Sequence, residues 1–224
     1  MKDFQENIIP ATNQNAQDIF MYDNTGIRVL FVGNSITRHG PKPEVGWNKN
    51  CGMAASDIDH DYVHLVMQKV RQYDPNAAFS ICQVAGLERN YDHPEVLDNY
   101  REAADFHADI VIMFFGANVP KEQCDDYPDQ VALFKNIYRA TRDMTCNGHA
   151  AVFHSQGFYI RPKLDEAKKA VALECGDAYI SIDDINTSEE AHGLFNHPSD
   201  LGMQLIADRF FEAIEPTVKK LTGK

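Results

Sequence analysis

The chain has 224 residues, 44% of them hydrophobic, and 21 Lys and Arg against 33 Asp and Glu give it a formal charge of −12. That length supports one full globular core, and the lack of any basic run argues against nucleic acid and an anionic membrane as partners. Five widely spaced cysteines (Cys51, Cys82, Cys124, Cys146, Cys175) without a C-x-x-C pair weigh against a disulfide framework or a zinc ribbon and fit free thiols in a reducing compartment.

Residues 1–25 are polar and Asn/Gln-rich without a clear period, and are expected to form an N-terminal arm or edge segment on a domain spanning 26–224. The first residues lack the charged-then-apolar pattern of a secretory leader, and no apolar run reaches membrane-spanning length, so a cytoplasmic location is expected. A secreted chain trimmed of its leader would read the same. Nothing in the sequence sets an oligomeric state.

From residue 27 onward, strand-like apolar runs alternate with stretches that carry apolar residues at helical spacing. The runs are 27–32, 79–84, 110–115, 150–154 and 179–182; the helical stretches are 62–73, 95–106, 130–144, 163–174 and 201–221. This alternation predicts a three-layer α/β/α sandwich around a flavodoxin-like, five-stranded parallel sheet, with the first run inside it. That run, Val29-Leu-Phe-Val-Gly-Asn-Ser-Ile-Thr37, is apolar enough to be buried on both faces and is broken by Gly33. Asn34, Ser35 and Thr37 are residue types that satisfy free backbone groups where a turn or helix begins. Ser35 could be no more than such a cap.

A parallel sheet delivers the last residues of every strand to one edge, so the strand-ending segments can be read as one site. They are Gly33-Asn34-Ser35, Ala85-Gly86-Leu87-Glu88-Arg89, Gly116-Ala117-Asn118, His154-Ser155-Gln156-Gly157, and a last loop with Asn196-His197-Pro198-Ser199-Asp200. A serine, a glycine, an asparagine and a histidine thereby converge. Acyl transfer needs this set: a nucleophile, donors for a developing oxyanion, and a base that takes the serine proton and returns it to the leaving group. Taken singly, Asn118 could be a plain turn residue and His197 a plain loop residue, while Ser199 is read as the cap of the last helix.

Three of these blocks, Gly-Asn-Ser-Ile-Thr, Gly-Ala-Asn and His-Pro-Ser-Asp-Leu-Gly-Met, resemble in order and spacing those of the SGNH hydrolases in the GDSL esterase/lipase superfamily, over about residues 27–210. The resemblance implies Ser35 as nucleophile, His197 as base, and Asn118, the Ser35 amide and Gly86 as oxyanion donors, with no cofactor and no metal. Gly86 lacks a distinctive surrounding pattern. The family usually has an aspartate three residues before the histidine, and here that position is Leu194. The orienting group is then a main-chain carbonyl near Leu194 or Phe195, the leading expectation, or a carboxylate of Asp183, Asp184, Glu189, Glu190 or Glu88.

Trp47, the only tryptophan, lies in a Gly/Pro/Asn-rich loop after the serine. It could wall a pocket and stack on a sugar, or simply pack. His60 and His64 stand one helical turn apart, as in a zinc-protease motif, but Asp61 replaces the glutamate that motif requires, so a solvated helix start is the better reading. His154 reads as a structural histidine close to the site. The function expected is a serine esterase acting on small acyl, foremost acetyl, esters of a carbohydrate. Lipase, lysophospholipase or thioesterase action on the same fold is an alternative, as is a non-catalytic flavodoxin-like binding protein that uses the Asn34–Thr37 loop as an anion nest.

Overall fold

The computed structural model describes residues 17–20 and 26–224. Six strands form one sheet: β1 (Gln17–Phe20), β2 (Arg28–Gly33), β3 (Ala78–Gln83), β4 (Ile110–Phe114), β5 (Ala151–Ser155) and β6 (Ala178–Ile180), in the order β1-β3-β2-β4-β5-β6. The last five are parallel to one another, in the flavodoxin-like order expected from the sequence, with β2 in the interior. β1 adds an antiparallel edge on β3. It is four residues long, too short for a side-chain period to show in the sequence. The rest of the expected arm over 1–25 lies outside the described residues.

Among the described residues, eight α-helices accompany the strands: α1 (Tyr62–Arg71), α2 (Ala85–Arg89), α3 (Glu102–Asp105), α4 (Lys121–Cys124), α5 (Pro128–Cys146), α6 (Pro162–Cys175), α7 (Asp183–Asn186) and α8 (Asp200–Thr222). Alternate residues of β2 feed two cores. Val29 and Phe31 join Tyr62, Val66, Met203 and Phe210 of α1 and α8 on one face. Leu30 and Val32 join Phe134, Tyr138, Leu164 and Val171 of α5 and α6 on the other. This two-sided burial explains why β2 reads as an unbroken apolar run rather than an alternating one.

The helix predicted over 95–106 is replaced by a 3₁₀ run, Pro94–Tyr100, and the single turn of α3. Its buried residues are Tyr100, Ala103 and Phe106, spaced by three, which suits the tighter helix. The predicted closing helix is present as α8, and Ser199 caps it by accepting from the Gly202 amide at 3.2 Å.

Beneath the carboxyl end of β2 lies an aromatic cluster. Tyr62, Phe114 and Phe210 meet edge to face with ring centroids 5.2–5.6 Å apart, an arrangement the ring quadrupoles favour. The buried Tyr62 hydroxyl lies 2.7 Å from Thr37 Oγ1, so the cluster reaches directly into the turn that carries Ser35.

Candidate active site

β2 ends at Gly33, and the chain turns at once: the Thr37 and Arg38 amides both donate to the Asn34 carbonyl, at 3.0 and 2.9 Å. A Cβ at position 33 would lie 1.7 Å from Thr37 Oγ1, so only glycine allows the turn to fold back this closely. Asn34 braces it further, with Oδ1 accepting from the Ile36 amide at 3.2 Å, an Asx-type turn. Ser35 is left half-buried at the tip.

His197 arrives from a loop 162 residues later, and its Nε2 lies 2.8 Å from Ser35 Oγ. The other ring nitrogen fixes the tautomer. Nδ1 lies 2.9 Å from the Phe195 carbonyl, which can only accept, so Nδ1 carries the proton and Nε2 is free to receive one from the serine. Burial, with a smaller contribution from His39, lowers the His197 pKa below its usual 6.5, against the opposing effect of the Phe195 carbonyl. The ring is therefore neutral at pH 7, as a general base must be.

The loop that presents His197 is a knot of main-chain bonds. Gly193 donates to the His197 carbonyl at 2.6 Å and His197 to the Leu194 carbonyl at 3.0 Å, and His192 pairs with Pro198 as an isolated antiparallel bridge. Phe195 and Asn196 both have φ of 58°, a left-handed conformation unusual for a bulky residue such as Phe195, where it costs on the order of 1–3 kcal/mol and persists only because the surroundings enforce it. That conformation accompanies the approach of the Phe195 carbonyl to Nδ1. Leu194, three residues before His197, is 66% exposed.

None of the candidate orienting carboxylates bonds to His197. Asp183 takes Gln156 Nε2 at 2.5 Å, Asp184 takes Arg209 at 2.8 Å, and Glu190 contributes only its carbonyl, to Ser199 Oγ at 2.7 Å. Glu88 lies elsewhere in the site. It is 1% exposed; its Oε1 accepts from Asn34 Nδ2 at 2.9 Å and from the Gly116 amide, and its Oε2 accepts from Asn118 Nδ2 at 2.5 Å. The reading of Glu88 and Glu190 as groups that orient the histidine is thus corrected: the first accepts from Asn34, Gly116 and Asn118, and the second makes no bond to the ring.

Asn118 follows β4 and is half-buried, with Oδ1 accepting from Arg89 at 3.4 Å. Gly86 sits in the first turn of α2, where amides lack an intrahelical acceptor, and its carbonyl accepts from Asn90 Nδ2 at 2.7 Å. Trp47 is 3% exposed, packed in the core, with its indole N–H on the His39 carbonyl at 3.0 Å. It offers no open face for a sugar, which removes it as a pocket wall. His154 is also outside the site: its nitrogens lie 3.0 Å from Tyr138 Oη and 3.0 Å from Asp177 Oδ2, in a buried network closed by Arg142. His60 and His64 take different aspartates, Asp57 and Asp61, and no group of three metal-ligating side chains occurs among the described residues.

One site neighbour escaped the sequence reading. Tyr159 Oη lies 3.1 Å from His197 Nδ1, as a second acceptor for the same N–H. It lies a few residues past the end of β5, so the strand-edge rule pointed to its segment but not to the residue.

No protein-family model matches the sequence, and no curated protein is similar to it. Solved structures match the fold. A two-domain esterase active on acetylated mannans has a TM-score of 0.56 at 15% identity, aligned over 86% of this chain and 50% of its own. A carbohydrate esterase family 2 enzyme from Corynascus thermopiles (Myceliophthora fergusii), carrying a carbohydrate binding domain, scores 0.58 at 14% identity over 88% and 67%. TesA scores 0.51 at 13% identity over 84% and 98%. The chain thus spans half the length of the mannan esterase and nearly all of TesA. It has the SGNH-hydrolase fold, the α/β/α sandwich of the GDSL-type esterases and lipolytic proteins.

Proposed function

We propose that the chain is a serine esterase that removes small acyl groups, acetyl foremost, from a carbohydrate-like substrate. The observation that carries this reading is the Ser35 Oγ to His197 Nε2 distance of 2.8 Å, with the imidazole tautomer set from behind by the Phe195 carbonyl. Ser35 attacks the ester carbonyl as His197 takes its proton. The oxyanion is met by the Asn118 side chain and the amides of Ser35 and Gly86, and His197 returns the proton to the departing alcohol. Water then attacks the acyl–Ser35 ester as His197 takes its proton; the acyl–Oγ bond breaks, His197 returns the proton to Ser35 Oγ, and the acyl group leaves as the acid. No step calls for a metal or cofactor.

A Ser-His pair backed by a carbonyl in place of a carboxylate suits this chemistry, because the third member of a triad acts mainly by holding the correct tautomer. The carbohydrate preference draws support from two neighbours on this fold, one active on acetylated mannans and one a carbohydrate esterase. A specific observation favours a second reading, hydrolysis of a longer acyl ester or thioester. Ile160, Leu194 and Phe195, all close in sequence to Tyr159 or His197, are exposed, and apolar residues at a rim suit an acyl chain.

The test is hydrolysis of p-nitrophenyl acetate, butyrate and octanoate by wild type, Ser35→Ala and His197→Ala. The expected result is a preference for acetate that is lost in both variants. A maximum at octanoate would move the assignment to the longer-chain reading, and a wild type no faster than Ser35→Ala on every ester would end the catalytic one.

A further inference from the structure

The site contains one buried charge to which the mechanism above gives no part. Glu88 is almost completely enclosed, and its two oxygens receive three N–H groups from two separate segments: Asn34 after β2, and Gly116 and Asn118 after β4. An ionised carboxylate can only accept, so each partner must present nitrogen to it. For Asn118 this decides which way the carboxamide faces: Nδ2 is drawn to Glu88 Oε2, and Oδ1 is left towards the guanidinium of Arg89. One N–H of Nδ2 is used by Glu88, and the second remains for an oxyanion.

The same carboxylate acts on the nucleophile's side. Asn34 is fixed at both ends of its amide, by Glu88 at Nδ2 and by the Ile36 amide at Oδ1, and its carbonyl anchors the turn around Ser35. One side chain therefore sets the registry between the turn that presents the nucleophile and the residue that meets the oxyanion. A buried anion is costly unless its lone pairs are met and a cation lies near. Here three donors meet it. The buried Lys168 ammonium, which pairs with Asp165 at 2.6 Å, passes within 3.8 Å of where a Gly116 Cβ would stand, and it feels the Glu88 charge.

We propose that Glu88 is a positioning residue of the oxyanion hole, holding the Asn118 carboxamide with its spare N–H towards the reacting carbonyl and tying that group to the Ser35 turn. The inference rests on the esterase reading and deepens it. Glu88→Gln keeps the shape but turns one acceptor into a donor. If the remaining oxygen serves Asn34 and Gly116, the new NH₂ faces Asn118 Nδ2, donor against donor. The Asn118 amide then turns over, and an oxygen replaces the N–H that the oxyanion requires.

The experiment is a double-mutant cycle on p-nitrophenyl acetate with wild type, Glu88→Gln, Asn118→Ala and the double variant, and with thermal unfolding of each. Loss of one oxyanion donor costs about 10²–10³ in kcat. Glu88→Gln is expected to lower kcat by about 10²-fold with KM within about threefold, and to cost less than about threefold more in the Asn118→Ala background. Glu88→Asp, which keeps the charge but is one methylene shorter, should lose kcat in the same way and serves if Glu88→Gln does not fold.

Ser35-dependent hydrolysis in which the Glu88 and Asn118 losses multiply would overturn this inference and leave the esterase reading standing. So would Glu88 variants that keep full kcat, or a pair of which neither folds, since either assigns Glu88 no positioning role. A wild type without Ser35-dependent hydrolysis would remove the esterase reading itself, and this inference with it.

Discussion

Ser35 stands on a turn closed by glycine, braced by carboxamides and seated on aromatic rings, whereas His197 hangs from a loop tied by main-chain bonds and by the His192 ring, whose nitrogens lie 3.0 Å from Asn196 Oδ1 and 3.0 Å from the Asn186 carbonyl. On the serine side, Asn34, Glu88, Gly116 and Asn118 form one network of side chains across the ends of β2 and β4. On the histidine side, the Phe195 carbonyl lies 2.9 Å from the His197 ring nitrogen, in a loop with two consecutive left-handed residues. The first region spends buried charge to fix geometry, and the second spends backbone strain. The difference predicts where the site is brittle: the serine side should fail abruptly when packing changes, and the histidine side should respond in graded fashion to pH and to single side chains.

The largest effect should come from Gly33→Ala. The added methyl would overlap Thr37 Oγ1 at 1.7 Å and Thr37 Cβ at 2.7 Å, and Thr37 is itself held by Tyr62. The turn must open, moving Ser35 away from His197 and pulling on the aromatic cluster. An overlap of this size in a buried turn costs several kcal/mol, which lowers Tm by roughly 10 °C or more for a chain of this length. Ester hydrolysis should fall by about 10³-fold or more, because 1 Å of misplacement alone can cost about 10²-fold. Calorimetry and initial rates would check both. A variant with wild-type Tm and rate would show that the serine turn is pliable and would erase the contrast.

This turn was legible in the sequence because it is written in residue types: an apolar run, then a glycine, then short polar residues. The order of the parallel strands followed from the same alternation, and the convergence of Ser35, Asn118 and His197 on one sheet edge followed from parallel pairing. The histidine side was less legible. Asn196 is a type that tolerates a left-handed backbone, but Phe195 carries nothing that announces one, and the bonds between Gly193, Leu194 and His197 that accompany it exist only once the loop has closed. Glu88 was picked out as a residue of interest, but its partners come from 54, 28 and 30 positions away, and only the assembled strand ends decide that it meets carboxamides instead of the imidazole. β1 escaped for a simpler reason, as four residues at a sheet edge are held by main-chain pairing that any sequence can make.

The pH dependence of hydrolysis should report the histidine side. Burial lowers the His197 pKa below 6.5, so the imidazole is mostly neutral at pH 6.5 and is protonated at lower pH. The kcat/KM profile is expected to be flat around neutrality and to fall on the acid side with a midpoint below 6.5, approaching tenfold per pH unit. Stability should decline over the same range. His39, His154 and His197 are all lowered by burial, so below pH 6.5 the unfolded chain binds protons that the folded chain refuses. Each such group then removes up to about 1.4 kcal/mol per pH unit until its folded-state pKa is reached. Urea midpoints from pH 7.5 down to 5 would test this, and a midpoint that rises on acidification would contradict the assignment of these imidazoles as buried and neutral.

The smallest effect expected is that of Tyr159→Phe, and it bears most directly on how His197 is held. Nδ1 has two acceptors within reach, the Phe195 carbonyl at 2.9 Å and Tyr159 Oη at 3.1 Å. A carbonyl is the better acceptor, it is nearer, and it belongs to the loop that carries the ring. Removing the phenol oxygen should leave the tautomer intact and lower kcat only about two- to fivefold, the scale of a hydrogen bond worth 0.5–1 kcal/mol. KM should be unchanged and the acid limb should move little. A loss approaching the 10⁴-fold seen when a triad loses its orienting acid would transfer the orienting role from the main chain to Tyr159. The histidine side would then depend on a single side chain, as the serine side depends on Glu88.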